Sequence, residues 1–586
     1  MTRTRSNPLA GISLALAAIV TVLAGCDGNR NSESEIDANQ AAEPANAADT
    51  IYFGGPIITI DDNQPLVEAV AVKDGRILAV GAADEVMATA DEATRRVDLA
   101  GQTMLPGFVD SHGHAYVMGL QARSANLLPA PDGSGNSIAD LQRLLRDWTA
   151  ANPAAIEKVG WIVGFGYDDS QLEEQRHPTR IELDEVSSEL PVVIIHQSGH
   201  LGVGNSKALE LAGINADTPD PKGGAFRRES DGVTPNGVAE EYAFFALLGA
   251  LATNFDDTVN DNFVAAGTAL AASFGYTTVQ EGRAIGPAVD AMRRVADSGA
   301  LAVDLVVYPD ILEVADIQPT RDYSNHLRIG GAKLTIDGSP QGKTAWLTEP
   351  YFVVPEGQPE DYRGYPAIDQ ATANAAVSKA YDNGWQILVH ANGDAAIDSM
   401  LEAVRAAQAS HPDAPNLRPV LIHGQTLRAD QVPELQELGI FPSLFPMHTF
   451  YWGDWHRDSV LGPERAPNIS PTGWLIERDM IFGTHHDAPV ALPDSMRVLS
   501  ATVTRRTRSG EILGPQQRVP VATALKAMTL WPAWQHFEEN EKGSIEQGKL
   551  ADFVILSANP LEVPDDQLDD IEVVETIKED VSVYKR

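Results

Sequence analysis

Cysteine occurs once in 586 residues, at position 26. One thiol cannot close an intrachain disulfide or build a Cys-rich zinc site. Any metal must therefore be held by histidine and carboxylate. Basic residues are also scarce: 43 Lys and Arg stand against 82 Asp and Glu, a net charge of −39. Such a surface repels a phosphate backbone, which argues against nucleic acid as a partner. The apolar stretch from Leu9 to Ala24 is shorter than the roughly 20 residues a membrane-spanning helix needs. No Gly-x-Ser-x-Gly elbow occurs in a strand-to-helix context. What remains is a globular composition, 43% hydrophobic and 21% charged. The length suits several domains, or one large α/β barrel with an accessory domain.

The N-terminus reads as an address. Arg3 and Arg5 precede an uncharged run that ends in Leu23-Ala24-Gly25-Cys26. This is the layout of a signal peptide over residues 1–25, and its end resembles the bacterial lipoprotein lipobox. The resemblance implies cleavage before Cys26 and lipidation of its thiol. The protein would then be anchored to a bacterial membrane and face the periplasm. Residues 26–49 are rich in Asn, Ser, Glu, Ala and Asp and read as a disordered tether.

Short strand patterns occupy both ends of the remaining chain. Ile57–Ile60, Ala69–Val72 and Arg76–Val80 are separated by turn residues, among them the hairpin signal Asp74-Gly75. Ala551–Leu556 and Val581–Tyr584 are similar. Residues 50–104 and 537–586 are thus expected to form a small β-sandwich. Between them, apolar runs alternate with helical stretches, including Met104–Asp110, Trp161–Phe165, Val192–His196, Thr277–Glu281, Arg328–Ile336, Gln386–His390, Val420–His423 and Met480–Thr484. Repeated βα units predict a parallel (β/α)8 barrel over 105–536, with its chemistry at the C-terminal strand ends.

Polar residues sit at those ends. His112 and His114 follow the run Leu105–Asp110, and residues two apart in extended chain face the same way. Lys333, within the run Arg328–Ile336, and His390, His423 and Asp487 are expected at later strand ends.

The segment Pro106-Gly107-Phe108-Val109-Asp110-Ser111-His112-Gly113-His114 resembles the opening metal motif of the amidohydrolase superfamily. Taken with Gly275–Gln280, Lys333–Ser339, His390–Asp394 and Lys542–Asp552, it resembles the amidohydrolase-3 family, which includes N-substituted formamide deformylases. The likeness runs from about Ile51 to Arg586. It implies that His112, His114 and Asp487 bind one ion and His390 and His423 a second. It also implies that Lys333, carboxylated by CO₂, bridges them. Imidazole with carboxylate suits zinc, at one or two ions per chain.

The implied activity is hydrolysis of a non-peptide amide C–N bond of a small molecule. Water acidified by the metal attacks, and Asp487 takes its proton as general base. His200, Glu281, His448 and His486 are candidate substrate-side residues. Ser198 stands two before His200, where relatives carry Asp, and His485-His486 replaces small residues. The same metal site could serve ester or lactone hydrolysis, deamination or isomerisation. A non-catalytic periplasmic binding lipoprotein is a further alternative. A homodimer stays open.

Overall fold

The computed structural model describes residues 47–355 and 357–586. The expected signal peptide and lipobox and nearly all of the expected tether lie outside the described residues. No helix among the described residues is long and apolar enough to cross a membrane.

Eight short parallel strand positions make the barrel. They are Phe108–Val109, Tyr276–Ala284, Asp304–Pro309, a kinked fourth strand, Ile387–Ala391, Val420–His423, Phe441–Leu444 and Gly483–Thr484. The fourth comprises Leu327–Ile329, which pairs back to Asp304–Pro309, and Ala332–Thr335, which pairs forward to Ile387–Ala391. Gly330-Gly331 is the kink between them. A Cβ on Gly331 would lie 2.2 Å from the Gln386 carbonyl oxygen, so a larger residue would block the forward pairing. At the seam between the first and last strands, Val109 N–H donates to Met528 O and Thr484 N–H to Ala527 O, both at 2.9 Å.

The strands are apolar on both faces, as a helix-covered parallel sheet requires. The covering helices show the complementary pattern. In Gly286–Asp297 the buried set is Ala288, Val289, Ala291, Met292, Val295 and Ala296, a stripe of helical period. Asp256 starts helix Asp257–Ser273 by accepting the Val259 N–H.

Two of the expected barrel strands lie elsewhere. Trp161–Phe165 and Val192–His196 fall within or close to strands Ile162–Tyr167 and Val192–His196 of a separate six-stranded sheet, inserted between the first and second barrel strands. That sheet turns antiparallel beyond His196, where Leu201–Gly204 and Pro235–Glu241 pair. An apolar run marks a strand, but it does not say which sheet the strand joins.

Both chain ends build one eight-stranded sheet. Thr103–Pro106 pairs antiparallel with Phe553–Leu556, which stitches the ends together. Asp74 and Gly75 both have positive φ, 50° and 72°, as the tight hairpin turn demands. Alternation along Ala69–Val72 sends Val70 and Val72 to one buried cluster and Ala69 and Ala71 to another. A buried charge network ties this sheet to the barrel. Asp304 on the third strand accepts from Lys542 at 2.5 Å and Lys578 at 2.8 Å, and Lys578 also reaches Asp552 at 2.9 Å.

Candidate metal centre

The barrel brings its six candidate ligands together. His114 Nε2 lies 3.2 Å from Asp487 Oδ1, and His112 Nε2 lies 3.5 Å from the same oxygen. Lys333 Nζ is 3.1 Å from His112 Nε2. On the other side His390 Nδ1 and His423 Nε2 face each other at 3.0 Å, and His423 Nε2 is 3.9 Å from Asp487 Oδ2. Asp487 is thus the common neighbour of both imidazole groups.

Backbone geometry puts them there. Asp487 has φ 52° and His423 φ 73°, left-handed conformations that non-glycine residues rarely adopt. Strain of this kind clusters at functional sites. Gly282 permits the close packing beneath His112, since a Cβ there would stand 2.1 Å from the ring's Cε1.

Each ring is also fixed from behind. His112 Nδ1 meets Gln280 Oε1 at 2.6 Å, and the His112 N–H donates to Asp110 at 2.9 Å. A neutral His112 that donates from Nδ1 leaves Nε2 as a lone pair aimed at Asp487 and Lys333. Glu281 Oε1 lies 3.6 Å from His114 Nδ1, while its other oxygen accepts the Tyr116 N–H at 2.9 Å. His390 Nε2 faces Asn392 Nδ2 at 3.1 Å and Gly338 O at 3.3 Å.

The electrostatics follow from burial. Burial, then the nearby Lys333 amine, pushes His112 and His390 well below the ordinary imidazole range. Burial, then His390, does the same for His423. Burial opposes the charging of His114, but Asp487 and Glu281 outweigh it and raise the ring to about 9. Burial lowers Lys333 to about 7. Three imidazoles held neutral (His112, His390 and His423), a fourth, His114, drawn towards the Asp487 carboxylate, and a neutralisable amine form with that carboxylate a donor set fit for a divalent cation. One atom tests that fit: Asp487 Oδ1 is buried and has no hydrogen-bond partner among the described residues. Only the ring nitrogens of His114 and His112 approach it, at 3.2 and 3.5 Å, and a cation among these donors would satisfy it.

Two other His–carboxylate clusters fail the same test. In Asp168–Asp169–His196, the Ser198 N–H donates to His196 Nδ1 at 3.0 Å. Nε2 must then carry the proton, and it gives it to Asp169 at 3.1 Å rather than holding a lone pair for an ion. In Asp304–His326–Glu579, two lysines already neutralise Asp304.

The substrate-side candidates separate. His200 stays partly open, with 35% of its side chain exposed, and its Nδ1 meets Glu241 at 3.0 Å. Glu281 is buried and committed to His114 and Tyr116, so it supports a ligand rather than facing a substrate. His448 is buried too. Its Nδ1 meets His456 at 3.0 Å, and Phe445 packs against both it and His485. His486 is fully buried against Tyr276, 3.4 Å from Asp110, and accepts the Ala488 N–H. Glu281, His448 and His486 are thus buried and engaged with other side chains or backbone, while His200 stays partly exposed. The sequence offered either His485 or His486 as a substrate-side or packing residue and the choice fell on His486; in the structure it is His485 that meets the ligands, its Nε2 3.1 Å from His423 and its Nδ1 2.8 Å from Ser443. Adjacent residues in extended chain face opposite ways, and the pair His485-His486 alone does not say which one turns inward.

Comparison with known proteins agrees with this architecture. A family model described as "Amidohydrolase family" matches residues 95–584. The chain is 26% identical over 556 residues to the N-substituted formamide deformylase of Arthrobacter pascens, covering 92% of this chain and 98% of that one. It is 29% identical over 535 residues to Protein LONG AFTER FAR-RED 3 of Arabidopsis thaliana, covering 87% and 88%. Among solved structures, an uncharacterized metal-dependent hydrolase of Pyrococcus horikoshii superposes with a TM-score of 0.70 at 23% identity, over 88% of this chain and 99% of that one.

Proposed function

The chain belongs to the amidohydrolase family and is a metal-dependent hydrolase of a non-peptide carbon–nitrogen bond; we propose that His112, His114, His390, His423, Asp487 and a carboxylated Lys333 hold its ions. The observation that carries this is the convergence of His112, His114 and the unpartnered Asp487 oxygen in one buried cluster. A bound divalent ion, zinc by this donor set, would polarise a carbonyl and lower the pKa of water from about 15.7 towards 7.

The chain's own residues supply the rest. Lys333 is populated as the neutral amine near pH 7, the form whose nitrogen can bond to CO₂ carbon and lose a proton. The product is an anionic oxygen donor among four imidazoles. Asp487, 3.5 Å from His112 and 3.2 Å from His114, would take a proton from water and deliver it to the leaving nitrogen. Gln280, Glu281 and Asn392 hold the rings in register, which fixes the donor directions before substrate arrives.

The substrate class we favour is a small N-substituted amide, in line with the deformylase relative. We place the protein on a bacterial membrane through a lipid at Cys26, facing the periplasm, on the strength of Leu23–Cys26 alone. The test is elemental analysis of the purified protein with turnover of a panel of N-substituted formamides and acetamides, each product identified. One to two divalent ions and chelator-sensitive amide cleavage are expected. Cleavage of esters or lactones alone would move the site to the alternative chemistry. Metal-free protein with undiminished turnover would refute the reading.

A further inference from the structure

An unbroken line of buried polar side chains leads from the ligand His423 to helix Leu530–Gln535. His423 Nδ1 meets His485 Nε2 at 3.1 Å, and His485 Nδ1 meets Ser443 Oγ at 2.8 Å. Ser443 Oγ meets Ser111 Oγ at 2.6 Å, and Ser111 Oγ meets Gln535 Oε1 at 2.8 Å. The line crosses the barrel from its sixth strand, by way of the segment after the eighth and then the seventh, to the segment after the first. Ser111, Ser443, His485 and Gln535 are all fully buried. Gly483 leaves room for the crossing, since a Cβ there would stand 2.0 Å from Ser111 Oγ.

The far end fixes the direction of every bond. Gln535 Nε2 donates to Ser111 O at 2.9 Å, and the opposite amide orientation would set two carbonyl oxygens against each other. Oε1, which can only accept, therefore faces the Ser111 hydroxyl. Ser111 gives its one proton to Gln535 and accepts from Ser443. Ser443 has then spent its own proton, so His485 Nδ1 must donate to it. His485 is buried and forms no ion pair with a carboxylate of the described residues, so the ring is neutral and Nε2 is a lone pair. That lone pair accepts the His423 Nδ1 proton. His423 keeps its own lone pair on Nε2, the atom that faces His390 Nδ1 at 3.0 Å and Asp487 Oδ2 at 3.9 Å. Run the other way, the same line would put a proton on Nε2 and close it to an ion.

We propose that Gln535 is a positioning residue for the metal centre: through Ser111, Ser443 and His485 it holds His423 in the tautomer that presents Nε2 to an ion. The proposal rests on the two-ion reading above. A ligating imidazole needs a partner on its second nitrogen to fix its tautomer, and here that partner is itself oriented from a distance. The other ion's ligand is served from the same origin. Gln280 Nε2 also donates to Ser111 O, at 3.1 Å, which turns Gln280 Oε1 towards His112 Nδ1. One backbone oxygen thus orients two amides, and through them one ligand of each ion.

The test is titration of the full chain with zinc against a competing chelator, in which the step lost by His423→Ala marks the second ion. Gln535→Met, similar in volume but without the acceptor, should weaken that step about 10–100-fold and leave the other within about threefold. Ser443→Ala should do the same. The two changes together should weaken it no more than about twofold beyond either alone, since a broken line transmits nothing further. His485→Gln can still accept from His423 and donate to Ser443, so it should stay within about tenfold of wild type, while His485→Leu should lose at least about 100-fold. Additive losses in the double variant, unchanged affinity in Gln535→Met, or equal losses in His485→Gln and His485→Leu would each overturn the proposal. A wild-type chain with no zinc step sensitive to His423→Ala would instead sink the two-ion reading. The ring-nitrogen resonances of His423 in histidine-labelled protein would then still decide the tautomer, and a proton found on Nε2 in the metal-free wild type would overturn the proposal by itself.

Discussion

Lys333 Nζ lies 3.1 Å from His112 Nε2, both side chains are buried, and no carboxylate of the described residues forms an ion pair with the amine. A buried ammonium without a counter-ion is costly, so this lysine is built to be neutral or converted. Lys333→Arg keeps a cation that cannot deprotonate or be carboxylated. Activity under saturating bicarbonate and metal should fall at least about 100-fold, by comparison with the 10–100-fold typical of lost supporting contacts. Lys333→Ala should recover part of its activity with added short carboxylic acids. Full activity of the Arg variant would dismiss the bridging carbamate.

The same lysine should leave a mark on stability. Its folded pKa of about 7 lies below the ordinary 10.5, so between those values the unfolded chain binds the extra proton. Stability of the metal-free protein then gains from this group as pH rises from 7 to 10.5, and the burial penalty is fully present below 7. In CO₂-free buffer without metal, Lys333→Met should be more stable than wild type at pH 6.5 and converge with it above about pH 10. Denaturant melts of both proteins across that range check this. A constant difference would mean the amine is not the titrating group.

His112 and Asp487 should separate metal binding from proton transfer. His112→Ala removes a nitrogen fixed by Gln280 and should lose ion and rate together. Asp487→Asn should retain at least one ion yet lose about 10²–10⁴ in kcat, since a neutral amide cannot accept a proton. Elemental analysis alongside kcat on the same preparations distinguishes the two.

Cys26→Ala should abolish lipidation, leaving the chain unprocessed or free of the membrane fraction. Fractionation and gel mobility are the readouts. A variant that behaves as wild type in both would remove the anchor.

Much of this centre was legible because its histidines come at or just after the ends of apolar runs. His390 and His423 close strands that read as buried from their side chains alone, and the two-residue spacing of His112 and His114 marks a shared face. What the sequence hides is what other strands contribute once the barrel closes. Gln280 ends the run Tyr276–Val279 much as His390 ends its own, but an amide at a strand end signals nothing until His112 is seen 2.6 Å away. The inserted sheet was misplaced because periodicity reports burial and not pairing partners. The Lys542–Asp552 segment carried part of the family likeness, and in the structure it serves cohesion through Lys542, Asp552 and their partners Asp304 and Lys578.

The sheet built from both ends sets the order of assembly. Thr50 and Tyr52 donate side-chain hydrogen bonds to Asp580, 530 and 528 residues away along the chain. At about 5–20 residues per second, the first strand is made roughly half a minute to two minutes before its last partners. Until then Ile57, Val70 and Val72 have no complete apolar cover. The early strands are therefore the natural segment for a holding chaperone, and the closing pair Val573–Lys578 and Val581–Lys585 is the final step that releases it.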